Sequence, residues 1–125
     1  MKKQITTPNA PAAIGPYSAG IAAGGFVFVS GQLPVDPGTG ALCAGTIGDM
    51  TRQSLRNVIA VLEAAGSGAD RIVKTTVFLA DLGDFVVVNE AYAAFFEGEP
   101  PARSCVQVAR LPRDARIEIE AIAVL

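Results

Sequence analysis

The chain has 125 residues, half of them apolar, a net charge of −2, an isoelectric point near 5.0 and a mean hydropathy of +0.40. This is one domain with a single core, spanning residues 1–125, and no apolar run approaches the ~20 residues of a membrane helix. The acidic balance argues against nucleic-acid binding. With no histidine and only two cysteines, neither Ser-His-Asp or Cys-His pairs nor a His-containing or all-thiolate zinc site can be built.

The start, Met1-Lys2-Lys3-Gln4, leads into Ile5 without the apolar stretch of a signal peptide, so the expected compartment is the cytoplasm. There, Cys43 and Cys105 are expected as free thiols. Residues 19–23 and 26–30 flank Gly24-Gly25, a two-residue hairpin signal, and 35–40 is turn chemistry throughout. A helix is predicted over 47–65, with Met50, Leu55, Val58, Ile59 and Leu62 as its apolar stripe. Thr46 and Asp49 form a capping-box-like start and Gly66 a stop. Residues 72–80 are β-branched and read as a strand. A second helix follows over 85–96, with Asp84 as N-cap and Phe85, Val88, Tyr92, Phe95 and Phe96 as its apolar stripe. A loop at 97–101, a strand at 103–109, a turn at 111–115 and a strand at 117–125 complete the chain. The order ββαβαββ predicts an α+β domain, a mixed sheet with two helices on one face.

Two helices cover only one face of a sheet, yet residues 121–125 are apolar at every position and 26–29 repeat the pattern. Both faces of these strands call for burial, which predicts a partner surface, most simply another copy of the chain. The alternative is an open face that is merely rather apolar.

Several residues carry candidate chemistry. Arg103 opens a strand and shares a side with Cys105 and Gln107. It is either a strand-end salt bridge or an anchor for a carboxylate or phosphate, which the planar guanidinium grips with parallel donors. Glu118 and Glu120, at i and i+2, share a face. They are either solvent-facing or, where one is partly buried, raised in pKa and suited to general acid–base work. Cys105 has no histidine to activate it and reads as packing before nucleophile. Tyr17 walls a pocket or covers the core, and Gly31 ends a strand with backbone open to a ligand. Arg110, Arg113 and Arg116, interleaved with Asp114 and Glu118, read as a solvated loop.

Segments along the whole chain resemble the RidA (YjgF) family. They include Ala12-Ala13-Ile14-Gly15-Pro16-Tyr17-Ser18, Phe28-Val29-Ser30-Gly31-Gln32, Pro101-Ala102-Arg103-Ser104-Cys105-Val106 and Ile117-Glu118-Ile119-Glu120-Ala121. The resemblance implies a chorismate-mutase-like fold and a homotrimer with active sites between subunits. It also implies hydrolysis of 2-aminoacrylate and related enamine and imine acids to 2-oxo acids and ammonia, with neither cofactor nor metal. Arg103 matches the carboxylate-binding arginine and Glu118 the carboxylate near the attacked carbon. Tyr17, Ser30, Gly31, Asn89 and Cys105 match pocket positions. The segment Glu97-Gly98-Glu99-Pro100 is shorter than in longer-looped members, which bears on substrate size. Members described as ribonucleases, translation inhibitors, chaperones or ligand-binding regulators share the family, so a regulatory module sensing small carboxylic acids is the alternative function.

Overall fold

The computed structural model describes all 125 residues. Six strands, β1 (Lys3–Ile5), β2 (Gly20–Ala23), β3 (Phe26–Gln32), β4 (Ile72–Leu79), β5 (Ala102–Gln107) and β6 (Ile117–Val124), form one sheet in the order β1-β2-β3-β6-β4-β5. Helices α1 (Ile47–Ala64) and α2 (Phe85–Ala93) lie side by side on one face. All pairings are antiparallel except β4 with β5, so the sheet is mixed, as expected.

The predicted element order is present with one addition. Strand β1 pairs with the outer edge of β2, and three residues with one buried side chain are too short to show a period. The β2–β3 hairpin turns on Gly24 and Gly25, both at positive φ (59° and 83°), the primed-turn geometry whose twist matches paired strands. The expected capping box at α1 is formed, and the chain leaves the helix at Gly66. The α1 stripe is rotated from expectation: Ile47, Leu55, Val58, Val61 and Leu62 are buried, while Met50 and Ile59 are only partly covered. Thr51 takes part of that face because its hydroxyl donates to the Ile47 carbonyl at 2.8 Å and so enters the core satisfied.

Two expectations at α2 need correction. The helix ends at Ala93, and Phe95 and Phe96 follow in tighter turns whose N–H groups donate to Tyr92 and Ala93. Asp84 precedes the helix but does not cap it, because its carboxylate is engaged by Arg116 at 2.9 and 3.0 Å.

The core lies between helices and sheet. Leu55, Val58, Val61 and Leu62 of α1 and Val88 and Tyr92 of α2 meet Val27, Val29, Val77, Leu79, Ile117 and Ile119 of the sheet. Each fully buried aliphatic side chain here contributes about 1.5–3 kcal/mol relative to exposure. The other sheet face has no cover within the chain: Phe26 and Phe28 are 41% and 44% exposed there, and Ile122, Val124 and Phe78 are partly so. No helix is long and apolar enough to cross a membrane.

Candidate active site

Strand β5 runs parallel beside β4, and the pairing of Thr75 with Arg103 puts Arg103 on the helix-covered face. Phe85, Asn89 and Tyr92 stand at i, i+4 and i+7 of α2, hence on one side of it, and all three meet this arginine. Its guanidinium carbon lies 4.9 Å from the Tyr92 ring centroid and 5.5 Å from that of Phe85, distances of cation–π attraction. Arg103 Nη1 donates to Asn89 Oδ1 at 2.8 Å. Tyr92 is itself fixed, its hydroxyl 2.6 Å from Thr75 Oγ1.

The chain's ion pairs are Arg52–Asp49, Arg110–Asp114 and Arg116–Asp84. Arg103 belongs to none, so the salt-bridge alternative fails. An aromatic- and amide-held guanidinium instead lines a cleft of about 510 Å³, bounded by Asn89, Phe96 and the 98–101 loop. Its remaining donors suit a carboxylate.

Cys105 follows on the same face, paired with Val77. Burial pushes its thiol above the usual 9.0, with Arg103 pulling it back. A thiol held protonated, with no base supplied by the sequence, is a poor nucleophile.

Glu118 lies elsewhere. Its pairing with Phe78, and that of Glu120 with Thr76, puts both glutamates on the uncovered face. Burial first, and the neighbouring Glu120 second, push the Glu118 carboxyl above the usual 4.5. The register of β3 against β6 shifts between Val29 and Gln32, so Ser30 and Gly31 form a bulge. A Cβ at Gly31 would lie 2.5 Å from Glu118 Oε1; glycine there is what lets the carboxyl rest against the backbone.

Ser30 is committed to positioning. Its Oγ donates to the Ser18 carbonyl at 2.6 Å and its N–H to that of Ala19 at 2.9 Å. These bonds tether the segment that presents Tyr17, 51% exposed, to a cleft of about 550 Å³ also lined by Gly31. Tyr17 therefore walls a pocket and does not cover the core.

The seven sequence-derived residues thus form two groups. Arg103, Asn89 and Cys105 gather under α2; Glu118, Gly31, Ser30 and Tyr17 gather around the bulge. Thr75 and Phe78, the β4 partners of Arg103 and Glu118, are three residues apart, roughly 10 Å along the strand, and face opposite ways. One small molecule cannot touch both side chains within a single chain. Phe85 and Tyr92 belong to the first group although their helical spacing reads as core packing. No three carboxylate or thiol groups converge as metal ligands.

Residues 7–125 match the family model described as Endoribonuclease L-PSP. The 2-iminobutanoate/2-iminopropanoate deaminase of Salmonella typhimurium is 59% identical over 127 residues, covering 99% of this chain and 98% of that one. The crystal structure of the Escherichia coli YjgF gene product is 56% identical, covers 98% of each chain and superposes with a TM-score of 0.94. That of Escherichia coli TdcF with bound serine is 52% identical, with the same coverage and TM-score.

Proposed function

The chain belongs to the endoribonuclease L-PSP family, the RidA (YjgF) family of the sequence resemblance, and on that premise we propose that it hydrolyses 2-enamine and 2-imine acids such as 2-aminoacrylate to 2-oxo acids and ammonia. The observation that carries this reading is Arg103: a guanidinium without an acidic partner, stacked on two rings and bonded to Asn89, in a cleft. The deaminase name of the Salmonella typhimurium relative and the serine bound to Escherichia coli TdcF support a small amino-acid-derived carboxylate as the ligand.

The chemistry suits the residues at hand. An enamine acid tautomerises to an imine whose carbon is already electrophilic. Arg103 holds the carboxylate, converting an encounter into an oriented complex. Glu118 takes a proton from water as the water oxygen attacks the imine carbon and passes it to the nitrogen, giving a carbinolamine. It then moves the carbinolamine's hydroxyl proton to the same nitrogen, so that the carbon–oxygen double bond forms, the carbon–nitrogen bond breaks and ammonia leaves. The elevated pKa of Glu118 brings it toward the range of a useful general base, worth about 10²–10⁴-fold. Backbone at Gly31 and near Cys105 lines the substrate's path, and Tyr17 closes one wall.

Because Arg103 and Glu118 face opposite sides of one sheet, the reading requires Arg103 of one copy and Glu118 of another. The uncovered face with Phe26 and Phe28 supports such an assembly, which we take to be a homotrimer. We place it in the cytoplasm, where pyridoxal-phosphate-dependent dehydratases release enamines.

The test is to generate 2-aminoacrylate from serine with a dehydratase and follow pyruvate release. The wild-type chain accelerates release, whereas Glu118→Ala loses the acceleration yet still binds 2-oxobutanoate. Absence of acceleration by wild type, with 2-oxobutanoate still bound, would instead favour a carboxylate-sensing module.

A further inference from the structure

The cleft beside Tyr17 and Gly31, about 550 Å³, is larger than an imine acid of three or four carbons fills. Its walls are mostly apolar, from Ile14, Leu33, Val35 and Pro112, and they include a single charged side chain, Arg113. The sequence pattern assigns this arginine to a solvated loop, but its surroundings set it apart from its neighbours. Arg110 grips Asp114 through two contacts at 2.7 and 3.3 Å, and Arg116 grips Asp84. Arg113 has no acidic partner. Its one bond is from Nη1 to the Gly40 carbonyl at 3.2 Å, across the cleft.

The backbone is shaped for this reach. Arg113 and Asp114 both have positive φ, 59° and 55°, a conformation that non-glycine residues seldom adopt and that costs free energy wherever it is held. The Arg110–Asp114 pair braces the turn, and the turn aims Arg113 at the cleft. With Nη1 held by a neutral carbonyl, Nε and Nη2 remain free to donate to an anion.

We propose that Arg113 reads a second carboxylate, so that this enzyme also takes imines of acidic amino acids, with four- or five-carbon dicarboxylate skeletons. The proposal rests on the deaminase reading, in which Gly31 and Glu118 of one copy stand at the reacting carbon. The substrate's first carboxylate goes to Arg103 of the adjoining copy, and its side-chain carboxylate extends toward Arg113 of the copy that supplies Glu118. The reaction itself is unchanged. The carbon–nitrogen double bond is replaced by a carbon–oxygen double bond from water, both water hydrogens end on nitrogen, and ammonia leaves; the second carboxylate takes no part beyond binding.

The experiment generates 2-iminopropanoate from alanine and 2-iminobutanedioate from aspartate with amino-acid oxidases, and follows each imine by trapping with semicarbazide. The wild-type protein accelerates loss of both. Arg113→Gln lowers kcat/KM for the dicarboxylic imine about tenfold, through KM, as expected for one lost charge-assisted contact. The same variant leaves 2-iminopropanoate within about twofold, and Arg113→Lys restores most of the loss. Hydrolysis of 2-iminopropanoate without that of 2-iminobutanedioate, or an equal loss on both in Arg113→Gln, overturns the proposal alone. If neither imine is hydrolysed, the deaminase reading fails, and calorimetric binding of 2-oxoglutarate against 2-oxobutanoate still decides on Arg113. Tighter binding of the dicarboxylate that is lost in Arg113→Gln sustains its role; equal affinities in the two proteins overturn it.

Discussion

At the scale of single residues, Glu118 makes the sharpest demand. A base must be deprotonated, and both burial and Glu120 hold this carboxyl above its ordinary 4.5. The kcat/KM for imine hydrolysis therefore rises with pH along an acidic limb centred above that value. Glu120→Gln moves the limb toward lower pH by removing the like charge; a limb that stays in place would show another group titrating. Stability follows with the opposite sense. Where the folded-state pKa exceeds the unfolded one, the native chain binds more protons between the two values, so stability falls as pH rises through that window. Ionised Glu118 is thus a destabilising group at neutral pH, and Glu118→Gln raises the melting temperature there while removing turnover. Gly31→Ala does the reverse of a simple helix or strand propensity gain, since its Cβ would meet the Glu118 carboxyl and displace it.

At the scale of elements, the segment after the bulge depends on one buried amide. Asn57, on α1, donates through Nδ2 to the carbonyls of Leu33 at 3.1 Å and Val35 at 2.9 Å, while its Oδ1 accepts from Gln53 at 3.0 Å. Asn57→Leu leaves those carbonyls without their donor, at a cost of about 2–4 kcal/mol, measurable by urea unfolding. A loss below about 0.5 kcal/mol, the range of ordinary surface substitutions, would mean that the bonds are replaced by water. The contrast with the start of the same helix explains what the sequence discloses. Thr46 and Asp49 bond each other across three residues, so their motif is written locally and is readable. Asn57 reaches partners 24 and 22 positions away, and no local pattern records them. Asp84 is the converse case: it has a capping residue's identity and place, but Arg116, 32 residues on, claims its carboxylate. Phe85 and Tyr92 fit an apolar stripe, and only the parallel docking of β5 reveals that they hold Arg103.

At the scale of the whole molecule, the apolar run of β6 is the readable sign of an apolar face that the chain itself leaves uncovered. Alternation sends Ala121 and Ala123 to the helices and leaves Ile122 and Val124 beside Phe26 and Phe28 on the open face. What periodicity could not disclose is that Arg103 and Glu118 fall on different faces, because that follows from the pairing of β6 with β4 and of β4 with β5. The proposed assembly therefore has a consequence that no single-chain site shares. Arg103→Ala and Glu118→Ala are each inactive alone. Unfolded together in equal amounts and refolded, they assemble at random into trimers. An intact site then needs a Glu118→Ala chain supplying Arg103 and, next to it, an Arg103→Ala chain supplying Glu118. Each condition is met half the time, so about one quarter of wild-type turnover returns. A site built within one chain returns none, since every chain in the mixture lacks one of the two groups. Phe28→Asp provides the matching control, placing a charge on the open face. It yields a particle near the 12.9 kDa of one chain by light scattering, and no turnover, although Arg103 and Glu118 are both intact.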